Sequence, residues 1–367
     1  MLPQHKLLNI GALTSLFKST TNSYKYLFFM ALIKQLEHAE DTQEVVIDVK
    51  VIVKEMLLMS LYPTKYFLLS FGVLDKTASI LDEVGCGSLL SDGSAKKQLA
   101  LAKAQIDEHC DDKVTKKLSQ YVVYRLIRPF LEHSLKSSCE NSVNKKIAHL
   151  SNERFDLDKP IYKIDGVPTP KAVIVHPTWA SYLKRNYYIV KSWAELEFIR
   201  YLQTRNPNTP AIPNKISAPL KRESLTKQRK IWDEYIKQHG LKCLFTGDPI
   251  EVDNYELDHF VPWSYVGHDQ HWNLIPITSS VNSAKNNSIP SDHYLRSFVD
   301  AQMHFIAFAQ ANKKKAVIED WMMGLQCSET ELSMHKDNVE KKLKTTVESL
   351  IEMAVLQGFN GHWRANR

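Results

Sequence analysis

Apolar residues recur at three- and four-residue spacing through much of the chain, beginning with Leu27, Phe28, Ala31, Leu32 and Leu36 behind Ser23, a residue type that caps helix N-termini. This pattern predicts helices from about Ser23 to Leu150, among them Leu99 to Ile106 and Val114 to Leu135, with a loop of small and polar residues over Ser91 to Lys97. Val45 to Val53 alternates as a short strand does, yet runs into Lys54-Glu55-Met56-Leu57-Leu58, so strand and helix both stay open there. The period changes near Asp156. Ile161-Tyr162-Lys163-Ile164 and Ala172-Val173-Ile174-Val175, separated by Asp165-Gly166 and two prolines, predict a β-hairpin. Trp193 to Gln203 reads as a helix, which Asn206-Pro207-Asn208-Thr209-Pro210 cannot continue, and the stretch to Pro219 reads as a linker. Ser224 to His239 predicts a basic amphipathic helix closed by Gly240, and long helical patterns return from Ser291. The expected class is α+β, mainly α-helical. Four stretches follow: a helical accessory domain (1–150), a hairpin, helix and linker (151–219), a domain opened by the basic helix (220–300) and a helical C-terminal region (301–367).

Composition narrows the class. Glycine is scarce, 12 of 367 residues, which agrees with the helical leaning, and 44% hydrophobic with 24% charged residues excludes a disordered or collagenous chain. The five cysteines, Cys86, Cys110, Cys139, Cys243 and Cys327, are odd in number and far apart, so the sequence predicts no disulfide framework and a reducing, cytoplasmic setting. The apolar runs Tyr26 to Ile33 and Met56 to Leu74 are bounded or broken by Lys25, Lys34, Pro63 and Lys65, short of the roughly 20 residues that span a bilayer, and the start of the chain does not read as a signal peptide. Net charge is +6 (47 − 41), and its placement matters more than its size. Lys215, Lys221, Arg222, Lys227, Arg229, Lys230, Lys237 and Lys242 stand against Glu223, Asp233 and Glu234, so 8 − 3 = +5 falls on one segment.

Candidate chemistry follows directly after that segment: Cys243-Leu-Phe-Thr-Gly247, then Glu256-Leu257-Asp258-His259-Phe260-Val261-Pro262-Trp263-Ser264, Trp272-Asn273-Leu274-Ile275-Pro276 and Asn282-Ser283-Ala284-Lys285-Asn286-Asn287. An acidic residue beside a histidine at a strand end, an asparagine opening a second strand and a polar side chain on a following helix make a compact site for a hard metal ion against a phosphodiester. This block resembles the HNH (ββα-metal) nuclease family over roughly Leu241 to Pro290. His259 and Asn273 stand 14 residues apart (273 − 259), and Asn273 and Asn282 nine (282 − 273).

The resemblance implies a ββα-metal domain embedded between helical regions. It implies a catalytic set of Asp258, His259, Asn273 and Asn282: His259 as the base, Asp258 and Asn282 as ligands of Mg²⁺ or Mn²⁺, and Asn273 as the residue that fixes the inter-strand loop. Imidazole suits the base because it titrates near pH 7. Lys285, three residues past Asn282, is expected on a substrate phosphate, and Lys221, Arg222, Lys227, Arg229 and Lys230 on the nucleic acid backbone. Many relatives hold a structural zinc with two Cys-x-x-Cys pairs, but the matching positions here are Cys243, Thr246, Thr278 and Val281, so no structural zinc is expected. Leu244, Phe245, Leu257, Trp263, Trp272, Leu274 and Ile275 are expected to hold the unit by apolar packing. His268 and His271 read as solvated loop residues, Cys243 as a packing thiol and His176 as structural.

Ser23-Tyr24-Lys25-Tyr26, Ser70-Phe71-Gly72 and Tyr201 to Pro207 are similar to flanking regions of HNH proteins of bacterial restriction and anti-phage defence. That similarity implies that the helical N-terminal part recognises a partner protein, such as an ATPase or sensor, or positions invading DNA, while Asp258, His259, Asn273 and Asn282 motivate a metal-dependent DNA endonuclease or nickase acting on double-stranded DNA; the oligomeric state stays undetermined. Two alternatives remain: an RNA-cleaving nuclease, and a catalytically silent binding or assembly module built on the same fold.

Overall fold

The computed structural model describes residues 2–37, 44–87, 89, 94–135, 142–166, 169–219 and 224–365. The chain divides into two compact units, Met1–Pro207 with Ile216–Leu220, and Asn208–Lys215 with Lys221–Arg367.

The first unit is helical around a small sheet. Its helices run α1 (Ile10–Thr14), α2 (Tyr24–Leu36), α3 (Val49–Leu61), α4 (Thr77–Glu83), α5 (Ala95–His109), α6 (Asp112–Ser119), α7 (Val122–Arg125), α8 (Glu132–Leu135), α9 (Val143–Glu153), α10 (Phe155–Asp158), α11 (Pro177–Arg185) and α12 (Tyr187–Arg205). Every residue of α2 from Tyr26 to Ile33 is buried, as expected of a helix that is apolar all round, and it packs on α3 and α12. The ambiguity at Val45 resolves as both elements in succession. β1 (Val45–Asp48) passes straight into α3, because the Asp48 carboxylate accepts the Lys50 N–H at 2.6 Å and caps the new helix. The predicted hairpin forms as β2 (Tyr162–Asp165) and β3 (Ala172–Val175) with Tyr162 opposite Val175; β1 joins β3 from its other side, giving the antiparallel order β1-β3-β2. The helical pattern of Val114 to Leu135 is not one helix. Pro129 falls in a 3-10 turn, Arg128–Phe130, where its missing N–H interrupts the ladder between α7 and α8. Part of the expected loop at Ser91 lies outside the described residues.

The three short strings on either side of the hairpin converge. The Asn206 side chain accepts the Ser70 N–H at 2.8 Å and donates to the Ser70 carbonyl at 2.9 Å, the Tyr201 hydroxyl donates to the Phe71 carbonyl at 2.5 Å, and Ser23 bonds Asp75 rather than its own helix end. His176 is structural as expected, its Nδ1 accepting the Thr178 N–H at the start of α11.

The second unit opens with a 3-10 turn, Ile212–Lys215, and the basic helix α13 (Thr226–His239), which ends at Gly240 in a positive-φ conformation. Then come β4 (Glu256–His259), α14 (Trp263–Val266), β5 (Leu274–Ile277), α15 (Ser279–Lys285), α16 (Leu295–Ala311), α17 (Lys315–Gly324), α18 (Glu329–Met334) and α19 (Lys336–Gln357). β4 and β5 are antiparallel with His259 opposite Leu274, and α15 packs on β4. Trp232 stacks on Phe305, and Phe260 on Phe298 with ring centroids 4.0 Å apart, which ties α13 and the hairpin to α16. Phe245, Leu257, Trp272, Leu274 and Ile275 are buried as expected, while Leu244 and Trp263 are half-buried. Among the described residues no helix is long and apolar enough to cross a membrane.

Candidate active site

Consecutive strand residues face opposite ways, so the end of β4 sends Asp258 and His259 into different surroundings. The His259 ring is buried, and its Nε2–H donates to Asp269 Oδ1 at 2.8 Å. Its Nδ1 makes no hydrogen bond among the described residues, so that nitrogen is left to accept a proton.

Asn273 explains how the chain beyond His259 is held. Fully buried at the mouth of β5, it accepts the Val261 N–H through Oδ1 and donates through Nδ2 to the Val261 carbonyl, both at 2.9 Å, while its own carbonyl accepts the Phe260 N–H at 2.8 Å. Three hydrogen bonds thus fix the two residues after His259, at a point where a buried backbone needs partners. Both polar atoms of the Asn273 side chain are engaged with the Val261 backbone.

The loop that returns to Asn273 carries Asp269. The Gln228 amide on α13 donates to the Asp269 carbonyl at 3.4 Å, and the Gln270 N–H donates to His268 Nδ1 at 3.3 Å. The next residue, His271, is anchored to α17: its N–H and Nδ1 meet Asp320 Oδ2 at 3.0 and 2.6 Å. Neither histidine is the solvated residue expected from the sequence. His271 is buried, and burial together with the neighbouring His259 holds the His268 ring down at about 4, so it is neutral at pH 7.

The largest departure from expectation is Lys285. Instead of reaching toward a phosphate it is wholly buried, its ammonium 2.9 Å from both Asp258 Oδ2 and the His259 carbonyl. The bond to the carbonyl is well aligned; that to the carboxylate is a charge contact off the hydrogen-bonding axis, and Oδ2 is left buried without a hydrogen-bond donor. Three residues past Asn282 on α15, Lys285 lies on the turn of helix that packs against β4. Lys215 departs in the same way. Counted in the basic run, it is buried with its ammonium on the Pro210 and Tyr265 carbonyls, and burial lowers it to about 7. Of the other cations expected on the nucleic acid, Lys227 and Lys230 are exposed on α13, Arg229 is half-buried over the Tyr255 ring at 4.3 Å, and Lys221 and Arg222 lie outside the described residues.

Asn282 is half-buried on α15, and its side chain has no hydrogen-bond partner among the described residues. Among those residues no three His, Cys, Asp or Glu side chains cluster as a metal cage. The available donors are the Asp258 carboxylate, with an orphaned buried oxygen, and the Asn282 amide oxygen. Such a set fits a small hard cation that keeps most of its waters, and does not fit a protein-enclosed tetrahedral ion. Cys243 is buried, and its backbone bonds Asp248 and Gly247.

Asp269 and Asp320 were not legible as site residues: each reaches its histidine across a fold, over 10 and 49 residues, and an isolated aspartate in a loop or on a helix carries no local signal. No curated protein and no solved structure matches the chain. Residues 243–291, the segment that carries Asp258, His259, Asp269, Asn273 and Asn282, match the family model described as HNH endonuclease, so this part of the chain is similar to that family.

Proposed function

We propose that this protein is a divalent-cation-dependent nuclease that hydrolyses DNA phosphodiester bonds, in which His259 draws the proton from the attacking water. The observation that carries the reading is the His259–Asp269 pair at 2.8 Å. A carboxylate on Nε2–H fixes one tautomer, turns Nδ1 into the acceptor and stabilises the imidazolium once the proton has moved; such a base contributes about 10²- to 10⁴-fold. The hydroxide formed adds to phosphorus as the bond to the 3′ oxygen breaks, the departing 3′ oxygen takes a proton from solvent water, leaving a 5′-phosphate and a 3′-hydroxyl, and His259 returns its own proton to solvent. Asp258 and Asn282 would hold Mg²⁺ or Mn²⁺, which when bound supplies positive charge where the phosphate oxygens gain negative charge. Lys285 holds Asp258 in place through their charge contact, and Asn273 keeps His259 in register. Exposed Lys227 and Lys230 supply phosphate contacts. The sequence similarity of the flanking strings supports a role in bacterial defence or restriction with a partner protein, and the odd, widely spaced cysteines support a reducing, cytoplasmic setting.

Matched DNA and RNA duplexes and single strands, digested with Mg²⁺, Mn²⁺ or EDTA, test the reading. Cutting of DNA that EDTA abolishes is expected. RNA cut in preference to DNA replaces the substrate, and no cutting of any substrate, with cellular function intact in an Asp258→Ala, His259→Ala variant, overturns the enzyme in favour of a binding module.

A further inference from the structure

The solvent side of α13 carries a row of lysines broken by one acid. At about 100° per residue, Lys227, Lys230, Glu234 and Lys237 fall within one sector of about 80°. All four are exposed. The other side of the helix is taken up by the fold: Trp232, Tyr235 and Ile236 are buried, and Gln228 reaches the Asp269 carbonyl at 3.4 Å. Lys227, beside Gln228, therefore marks the end of the row nearer the catalytic loop, and Lys237 stands about 15 Å further along the axis.

Glu234 is not used by its own helix. Lys230 precedes it by four residues and Lys237 follows it by three, spacings at which helix side chains meet. Its carboxylate accepts instead from Lys314 Nζ, on the turn between α16 and α17. Phe308, near the end of α16, packs on Tyr235 and His239 and so brings that turn to α13. On either side of Lys314, Lys313 and Lys315 are exposed. Among the described residues no ion pair engages Lys227, Lys230, Lys237, Lys313 or Lys315, whereas other surface cations of the second unit find carboxylates, as in Lys342–Glu331, Arg296–Asp300 and Lys344–Glu348. A lysine from outside the helix thus cancels the negative charge in the row and leaves its own lysines to solvent.

A row of about 15 Å matches four to five nucleotide steps of one duplex strand, at about 3.4 Å each. Among the described residues, none of the large apolar side chains exposed on the protein falls on α13. The surface therefore lacks both the aromatic anchors of a protein interface and the rings on which unpaired bases stack. Lysines alone hold a phosphate backbone and carry no base readout.

We propose that the Lys227–Lys237 row, continued by the Lys313–Lys315 turn, is a sequence-independent track for the backbone of double-stranded DNA leading away from the catalytic loop, and that Glu234, masked by Lys314, sets its strength. The track rests on the reading of this unit as a nuclease and adds Glu234, Lys237 and the Lys313–Lys315 turn to the two lysines already assigned to phosphate.

Fluorescence anisotropy of the full chain on labelled DNA duplexes of two unrelated sequences and on a matched single strand tests it, in EDTA and from about 50 to 200 mM salt. Lys237→Gln and Lys313→Gln are each expected to flatten the slope of log K on log salt by about 0.9 and to weaken duplex binding about eightfold at about 0.1 M salt, equally on both sequences. Glu234→Gln frees Lys314 and is expected to tighten binding and steepen the slope. Lys314→Gln uncovers Glu234 and weakens binding, and the double variant returns close to wild type. Lys341→Gln, exposed on α19, is expected to leave both readouts within twofold of wild type. Affinity and slope unchanged in Lys237→Gln and Lys313→Gln, no tightening in Glu234→Gln, or a loss in Lys341→Gln equal to that in Lys237→Gln overturns the proposal. A single strand bound more tightly than the duplex overturns it in favour of a strand-binding groove. Binding that follows the expected pattern in a chain that cuts no substrate overturns the nuclease reading alone, and DNA cutting with binding unchanged in the variants overturns the track alone.

Discussion

Replacing Lys285 with Met tests the buried pair at the centre of the site. The side chains are of similar length, so the substitution removes the ammonium and leaves the space filled. In the native protein the charge stands 2.9 Å from Asp258 Oδ2 and 2.9 Å from the His259 carbonyl, with no exposure. At an effective dielectric of about 20 the Coulomb energy of that contact is roughly 332/(20 × 2.9), about 6 kcal/mol. Part of this offsets the desolvation of the two ions, and stripping one partner from a buried pair costs about 3–5 kcal/mol because the other is left uncompensated. Lys285→Met should therefore lower the urea midpoint by the equivalent of about 3–5 kcal/mol at unchanged m-value, and Asp258→Asn in the same background should return part of the loss, since the orphaned carboxylate is then neutral. The same logic predicts tighter Mn²⁺ binding by Lys285→Met than by wild type, because the competing internal cation is gone. A variant as stable as wild type within about 1 kcal/mol, or additive effects of the two substitutions, would refute the pair as described.

Three further outcomes follow from other parts of the second unit. Asn273→Ala leaves the Val261 N–H and carbonyl without partners and should cost about 2–4 kcal/mol, with amide exchange of Val261 accelerated; wild-type protection there would count against the clamp. His268 titrates at about 4 in the folded chain against its ordinary 6.5, so between these values the unfolded state binds more protons. Stability should rise with pH across that window and fall on acidification by as much as about 3 kcal/mol, and His268→Gln should flatten the slope; an unchanged slope would contradict the assignment. A Cβ on Gly324 would overlap the Trp272 indole, so Gly324→Ala should lower Tm by an amount equivalent to about 1–3 kcal/mol, although alanine is the better helix former; a raised Tm would disprove the close approach.

What the sequence made legible, and what it did not, divides along physical lines. Asp258, His259, Asn273 and Asn282 lie within 25 consecutive residues, and their types and intervals survive in the linear string, as do the β2–β3 hairpin and the amphipathic α13. Pairings that close through space were hidden. β1 meets β3 across 130 residues, and no local pattern announces that Val45 faces Val175. Asp269 and Asp320 reach their histidines only after the loop and α17 have packed. Lys285 and Lys215 mislead for a related reason: a formal charge records nothing of which helix face carries it, and lysine is so often exposed that burial is legible only from the partners around it. The local +5 before the motif therefore overstates the cationic surface, since Lys215 is spent inside the fold and Arg229 on a tyrosine ring.

The central claim is that His259, poised by Asp269, takes the proton from water at this site. Single-turnover nicking of supercoiled plasmid in Mn²⁺ by wild type, His259→Ala and Asp269→Asn, each verified as folded, measures it most directly. The account predicts loss of at least a hundredfold in rate for His259→Ala, and a smaller loss for Asp269→Asn accompanied by a shifted pH profile. Nicking by folded His259→Ala at the wild-type rate would contradict it.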